Sequence, residues 1–161
     1  MNLYERQYCP SVYCKEKDKK TNFTTKVYNY DGTSKKTKFK NVAYIICRKG
    51  YWRKANEIHR FFLDRCTDNG NEWEYNGRDI VVSEEVLTEL LNICQELLKL
   101  KGKKFKEEAK KKLPTSQGFF WGSYEYDKWY RQDLRNTIKI LKSLDLPSKD
   151  YNIDFIYNAN W

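Results

Sequence analysis

The stretch IVVSEEVLTELLNICQELLKL, residues 80–100, constrains this 161-residue chain more than any other. Its apolar residues fall at Val86, Leu87, Leu90, Leu91, Cys94, Leu97 and Leu98. Spacings of three and four put all of them on one face of a helix. Ser83 is a fitting N-cap, and Glu84 and Glu85 stand in the first turn, where the helix dipole favours acids. A helix with so continuous an apolar face must be covered, so the rest of the chain has to supply the covering layer.

Two kinds of element are available for that layer. Thr25 to Tyr30 alternates and runs into Asp31-Gly32, a favoured turn dipeptide, and KTKFKNVAYIIC reads as a strand ending at Cys47. Together they predict a β-hairpin over about residues 25–48. Lys49-Gly50 breaks that strand, and a helix is expected from near Tyr51, with Ala55, Ile58, Phe62 and Cys66 inward and Trp52 and His59 flanking. EWEY, Asn76-Gly77 and RDIVV suggest a second short hairpin. Gly102 is read as the end of the central helix, with Phe105 to Lys112 a solvated continuation. A last helix spans about Tyr124 to Leu144, with Tyr126, Trp129, Tyr130, Leu134, Thr137, Ile138, Leu141 and Leu144 inward. Pro147 closes it, and the tail alternates at Ile153, Phe155 and Tyr157 as a further strand would. The expected fold is α+β, three main helices packed on a small antiparallel sheet. It forms a single domain over 25–161, preceded by an irregular, basic segment 1–24.

Charge distribution bears on partners. The net charge is +9, but residues 1–40 carry +6 and residues 101–112 carry +5, leaving the motif-bearing segments neutral or slightly acidic. That weakens a nucleic-acid reading, for which only Phe105 and Tyr28 stand as aromatics beside basic residues. The longest apolar run, Val42 to Cys47, is far too short to span a membrane, and MNLYERQYCPSVYC contains no apolar signal core, so a cytoplasmic protein is expected. An odd number of cysteines at irregular spacing argues against a disulfide framework, and Cys47, Cys66 and Cys94 read as small buried hydrophobes. Cys9 and Cys14 lack two further ligands of a zinc site. No metal and no cofactor are expected.

Two constellations carry the chemistry. In GYWRKANEIH, Arg53 and Asn56 share a helix face near its start, where free N–H groups favour an anion, with Trp52 and His59 beside them. Such a patch holds a phosphate on Arg53 and a stacked base on Trp52. The competing reading makes Trp52 and His59 core residues, His59 hydrogen-bonded, with Arg53 and Lys54 solvated. In LPTSQGFFWGS, Gly118 and Gly122 let a ligand approach the main chain. Thr115, Ser116, Gln117 and Ser123 supply neutral donors and acceptors, and Phe119, Phe120 and Trp121 supply flat apolar surface. Here the competing reading is a loop that plugs the core with aromatics. Glu125 and Asp127 sit where a helix dipole favours acids. With one histidine, no G-x-S-x-G elbow and no HExxH, no catalytic residue is assigned and a hydrolase has little support.

Read together, GYWRKANEIHRFF, IVVSEEVLTELLNICQELL and LPTSQGFFWGSYEYDKWYRQDLRNTIKIL resemble a family of small bacteriophage and prophage proteins. Its members show a G-YWRKAN-IH-WF block, a middle segment beginning V-S-x-E, and LPT-x-x-GFFFGS-x-EYD-x-x-Y-x-x-D. The resemblance covers roughly residues 50–141. It departs at Trp121, where the family has phenylalanine, and in the lysine-rich run before Leu113. It implies a viral accessory protein acting in a host cytoplasm against host defence. By analogy with that functional class, such a protein acts as a sponge that sequesters a nucleotide-derived signalling molecule without cleaving it. The expected ligand-binding residues are Trp52, Arg53, Asn56, His59, Thr115, Gln117, Phe120, Trp121 and Ser123, which requires the two motifs to converge, and a symmetric homo-oligomer would complete the pocket. The alternatives are direct inhibition of a host defence protein through exposed aromatics, with Asn160-Trp161 as a candidate anchor, and, ranked below it, nucleic-acid binding.

Overall fold

The computed structural model describes residues 1–8, 23–28, 33–39, 44–68, 74–116, 123–144, 146–148 and 153–160. The strands are β1 (Asn2–Tyr8), β2 (Phe23–Tyr28), β3 (Ser34–Phe39), β4 (Tyr44–Tyr51), β5 (Asp79–Val82) and β6 (Ile153–Asn158), and the helices are α1 (Asn56–Cys66), α2 (Glu84–Lys99), α3 (Gly102–Lys112) and α4 (Lys128–Lys142). A four-stranded antiparallel sheet runs in the order β4-β1-β6-β5, and β2 and β3 form a separate two-stranded hairpin. The protein is α+β, with four helices where three main ones were expected.

The largest difference from the sequence reading lies at the N-terminus. Residues 2–8, expected within an irregular segment, form an interior strand of the sheet, with β4 on one side and β6 on the other. Only Leu3 of this strand is fully buried. Its polar residues are held across the sheet instead: Glu5 pairs with Lys49 at 3.1 Å, and Asp154 accepts from Arg6 at 3.2 Å and from the Tyr8 hydroxyl at 2.9 Å. Strand pairing is non-local, and no apolar periodicity announces it.

Other boundaries shift for similar reasons. The hairpin expected over 25–48 closes at Phe39 as β2–β3, and the apolar half of that segment joins the main sheet as β4. β4 runs through Lys49-Gly50 to Tyr51, so α1 starts at Asn56 rather than near Tyr51. The Gly50 Cα faces the Ile140 side chain of α4, which explains glycine at that place. Between β4 and α1 the chain turns through Lys54, whose φ of 59° is left-handed and costs about 1 kcal/mol for a residue with a side chain. Of the second expected hairpin, residues 72–73 lie outside the described residues, residues 74–77 make a turn, and β5 pairs with β6.

α2 is the expected helix, capped by Ser83 Oγ accepting from Val86 N at 3.4 Å. Gly102 does not prolong it but opens α3. α3 is solvated over most of its surface, as expected, but it buries Phe105 and Ala109, and Phe105 meets Tyr130 edge-on at 5.9 Å while the Arg131 guanidinium lies 4.4 Å over its ring. That removes Phe105 as a stacking surface for nucleic acid. α4 is shorter than expected, with Tyr130, Leu134, Thr137 and Leu141 buried, and Trp129, expected inward, is 61% exposed. Cys94 is buried, Cys66 is half-buried and Cys47, expected to be buried, is exposed on the edge strand β4. α1 lies against the sheet with Phe62 stacked on Tyr157 at 4.4 Å. Trp52 Nε1 reaches across to donate to Thr137 Oγ1 of α4 at 2.9 Å, tying sheet, α1 and α4 into one core. No described helix is long and apolar enough to cross a membrane.

Candidate functional site

The two sequence motifs meet at Asn56. This residue, fully buried at the start of α1, donates from Nδ2 to the Ser123 carbonyl at 3.1 Å and accepts at Oδ1 from Ser116 N at 3.3 Å. It thereby ties together Ser116 and Ser123, the described residues on either side of 117–122. Thr115 adds a second tie between the same two segments: its Oγ1 donates to the Tyr124 carbonyl and its N–H to the Tyr126 hydroxyl, both at 3.2 Å. Ser123 Oγ accepts from Glu125 N at 3.1 Å. Asp127 then caps α4, its Oδ1 accepting from Trp129 N at 2.8 Å and Tyr130 N at 3.2 Å.

Beside this junction lies a cleft of about 240 Å³ whose walls include Arg53, Lys54, Glu57, Ser123, Trp129 and Asp133. Three elements build it. The left-handed turn at Lys54 presents Arg53 and Lys54 as exposed cations, α1 offers Glu57 from its first turn, and α4 offers Trp129 and Asp133, four residues apart and therefore on one face. The start of α1 carries no side-chain cap among the described residues.

The electrostatics centre on the two carboxyls. Glu57 is 3% exposed and its Oε1 has no hydrogen-bond partner among the described residues. Burial pushes its pKa up to about 8, the Asp133 charge pushes in the same direction, and its own backbone N–H opposes both. Asp133 is raised to about 6, again by burial first and by Asp127 second. Between these values Glu57 is an acid and Asp133 a carboxylate, so the same cleft is lined by a donor and an acceptor.

The other expected site residues divide. Arg53 and Ser123 line the cleft, whereas Asn56 and Thr115 do not line it but tie the segments at 116 and 123–126 beside it. Trp52 and His59 do not reach it, since both are fully buried in the core. His59 Nδ1 lies 2.7 Å from the Tyr157 hydroxyl, and burial, helped by the Met1 ammonium, lowers its pKa to about 4, so the ring is neutral. Gln117, Phe120 and Trp121, like Trp161 of the expected anchor, fall outside the described residues. Sequence reasoning missed Lys54, Glu57, Trp129 and Asp133 as site residues. No sequence signal pointed to Glu57, because a glutamate in the first turn of a helix is ordinarily solvated and only the packing of α1 buries this one.

A larger, open depression of about 1010 Å³ runs along α2 and includes Glu84, Glu89, Glu96, Arg65 and Lys112. Its charges are already satisfied: Arg65 pairs with Glu89 at 2.8 Å, Lys112 with Glu96 at 2.6 Å, and Glu84 accepts from Ser148 N at 3.0 Å. The smaller cleft, with a buried carboxyl oxygen unpartnered among the described residues, is the better site. Among the described residues no cluster of side chains has a metal site's composition. Comparison with protein-family models, curated proteins and solved structures finds no significant match to the chain.

Proposed function

We propose that the protein binds and sequesters a nucleotide-derived small molecule in the cleft between the start of α1 and α4. In the light of the resemblance to phage proteins, that molecule is a host defence signal, held without being cleaved. The observation that carries the reading is the Asn56 bridge to Ser116 and Ser123, which joins the two motifs a shared pocket requires. Arg53 and Lys54 offer charge for a phosphate, and the exposed Trp129 ring offers a flat face for a base. Neither Trp52 nor His59 takes part, and a homo-oligomer would close the open side of the cleft.

Native mass spectrometry of protein taken from cells, before and after addition of cyclic and ADP-ribose-type nucleotides, tests this. A stoichiometric adduct of unchanged nucleotide mass, lost in Asn56→Ala, supports it. A nucleotide converted to products, or no adduct across the panel, overturns it. A second reading has its own observation: on the edge strand β4, Tyr44, Ile45 and Ile46 are 48%, 37% and 45% exposed, an apolar stretch open to strand addition by a protein partner. Under that reading Ile46→Lys abolishes inhibition of a host enzyme while leaving nucleotide binding unchanged.

A further inference from the structure

The Glu57 carboxyl is the least explained group in the molecule. It is buried, it lines the cleft, and its Oε1 lacks a partner among the described residues, where a buried polar atom ordinarily has one. A structural role would have given that oxygen a donor. Its surroundings sharpen the question. Asp133 and Tyr130 face it from α4, Cys94 from α2, and Arg53 and Lys54 stand at the mouth of the cleft.

Between about pH 6 and about 8 the two carboxyls of this cleft hold one proton between them, because burial lifts both and the Asp133 charge lifts Glu57 further. Glu57 is the more buried of the two and keeps it. Its own backbone N–H occupies one side of the group, which leaves the other oxygen as an O–H donor. Asp133, ionised and half-buried, is an acceptor. The pair therefore presents one donor beside one acceptor while carrying a single negative charge.

Resting on the sequestration reading above, we propose that Glu57 and Asp133 read the amidine edge of an adenine-type base, with the phosphate of the same nucleotide held by Arg53 and Lys54. In that edge an exocyclic amine donates to the Asp133 carboxylate and the adjacent ring nitrogen accepts from Glu57. A lactam edge has the same pattern of one donor and one acceptor, and charge decides between them. The amidine gains positive character as it shares the Glu57 proton, which the Asp133 charge stabilises, whereas a lactam can only become more negative. The cleft, at about 240 Å³, has room for a base but leaves the sugar and phosphate at the mouth, where the two cations stand. Trp129, on the same α4 face as Asp133, supplies the stacking surface at the rim, and Lys128 Nζ lies 5.0 Å from its ring centroid.

The test is calorimetric titration of the full chain at neutral pH with adenosine, inosine and ribose 5-phosphates. The first two differ at the amidine edge and the third lacks a base. The expected result is that the adenine nucleotide binds at least about tenfold more tightly than the inosine nucleotide, and both more tightly than ribose phosphate. Glu57→Gln, which keeps a donor at that place, retains the preference, and Glu57→Leu loses it. In the unsubstituted protein the preference fades as pH rises through about 8, the value to which burial lifts Glu57, and in Glu57→Gln it does not. Circular dichroism of both variants confirms that they fold, and Arg53→Ala, leaving the carboxyls in place, weakens all three ligands alike. Equal binding of the adenine and inosine nucleotides overturns the Glu57–Asp133 reading and leaves nucleotide binding standing. No binding of any of the three at millimolar concentration overturns both.

Discussion

Replacing Glu57 by glutamine should make the protein more stable, by an amount that grows with pH. In the unfolded chain the carboxyl has its ordinary value of 4.5, and in the fold burial and Asp133 lift it to about 8. Between these values the folded state holds a proton that the unfolded state has released, so stability falls by about 1.4 kcal/mol for each unit of pH. This contribution is fully present below the unfolded value and is lost as pH rises through the folded one. Across the whole window the loss is on the order of 5 kcal/mol, a large fraction of an ordinary domain's stability. Glutamine fills the same space and has no proton to lose. Urea unfolding followed by tryptophan fluorescence at pH 5, 6, 7 and 8 reads the difference directly, since His59 and Asp133 titrate in both proteins. The gap between variant and parent should widen by about 4 kcal/mol from the lowest to the highest pH, moving the urea midpoint by about a molar or more. A gap that stays constant over this range refutes the reasoning, because it would mean that Glu57 ionises as readily folded as unfolded.

Three further outcomes are expected. The only histidine, His59, gives a single imidazole resonance in NMR; its titration midpoint should lie near 4, and stability should fall by about 3 kcal/mol as pH drops from 6.5 towards that value. A midpoint at the ordinary value would show the ring to be solvated. Gly50→Ala places a methyl group against Ile140, with Cδ1 only 3.0 Å away, and should cost about 1–3 kcal/mol in thermal unfolding. Ile140→Ala in the same chain should relieve that clash, so that the two losses are less than additive. Asp127→Ala removes the cap of α4 and should cost about 1 kcal/mol, whereas Asp127→Asn, which keeps an acceptor oxygen, should cost much less.

Amphipathic helices were legible because their signal is local. α2 appears within a residue or two of its expected limits, and the buried face of α4 follows the same periodicity. The alternation in the tail likewise marked β6. β1 was illegible: its one fully buried residue, Leu3, makes no pattern, and its charges find partners only after Lys49 and Asp154 arrive from distant parts of the chain. Trp129 was misplaced for a related reason. A helix face beside the apolar stripe looks like core until the neighbouring element stops short of it.

Concerning the site, residue types and spacing alone singled out two motifs and the requirement that they meet. They also nominated Arg53, Asn56, Thr115 and Ser123, all of which stand at the junction. Which motif residues face a cleft and which face the core depended on the sharp turn at Lys54. That turn sends Trp52 inward and leaves Arg53 at the surface, although the two are neighbours in sequence. The role of Glu57 could come only from tertiary structure. A glutamate in the first turn of a helix reads as a solvated response to the helix dipole. Packing α1 between the sheet and α4 removes the water that would have kept it ionised and sets it beside Asp133. Local sequence records which groups a segment carries, whereas the dielectric around them and the charges facing them are properties of how distant segments pack.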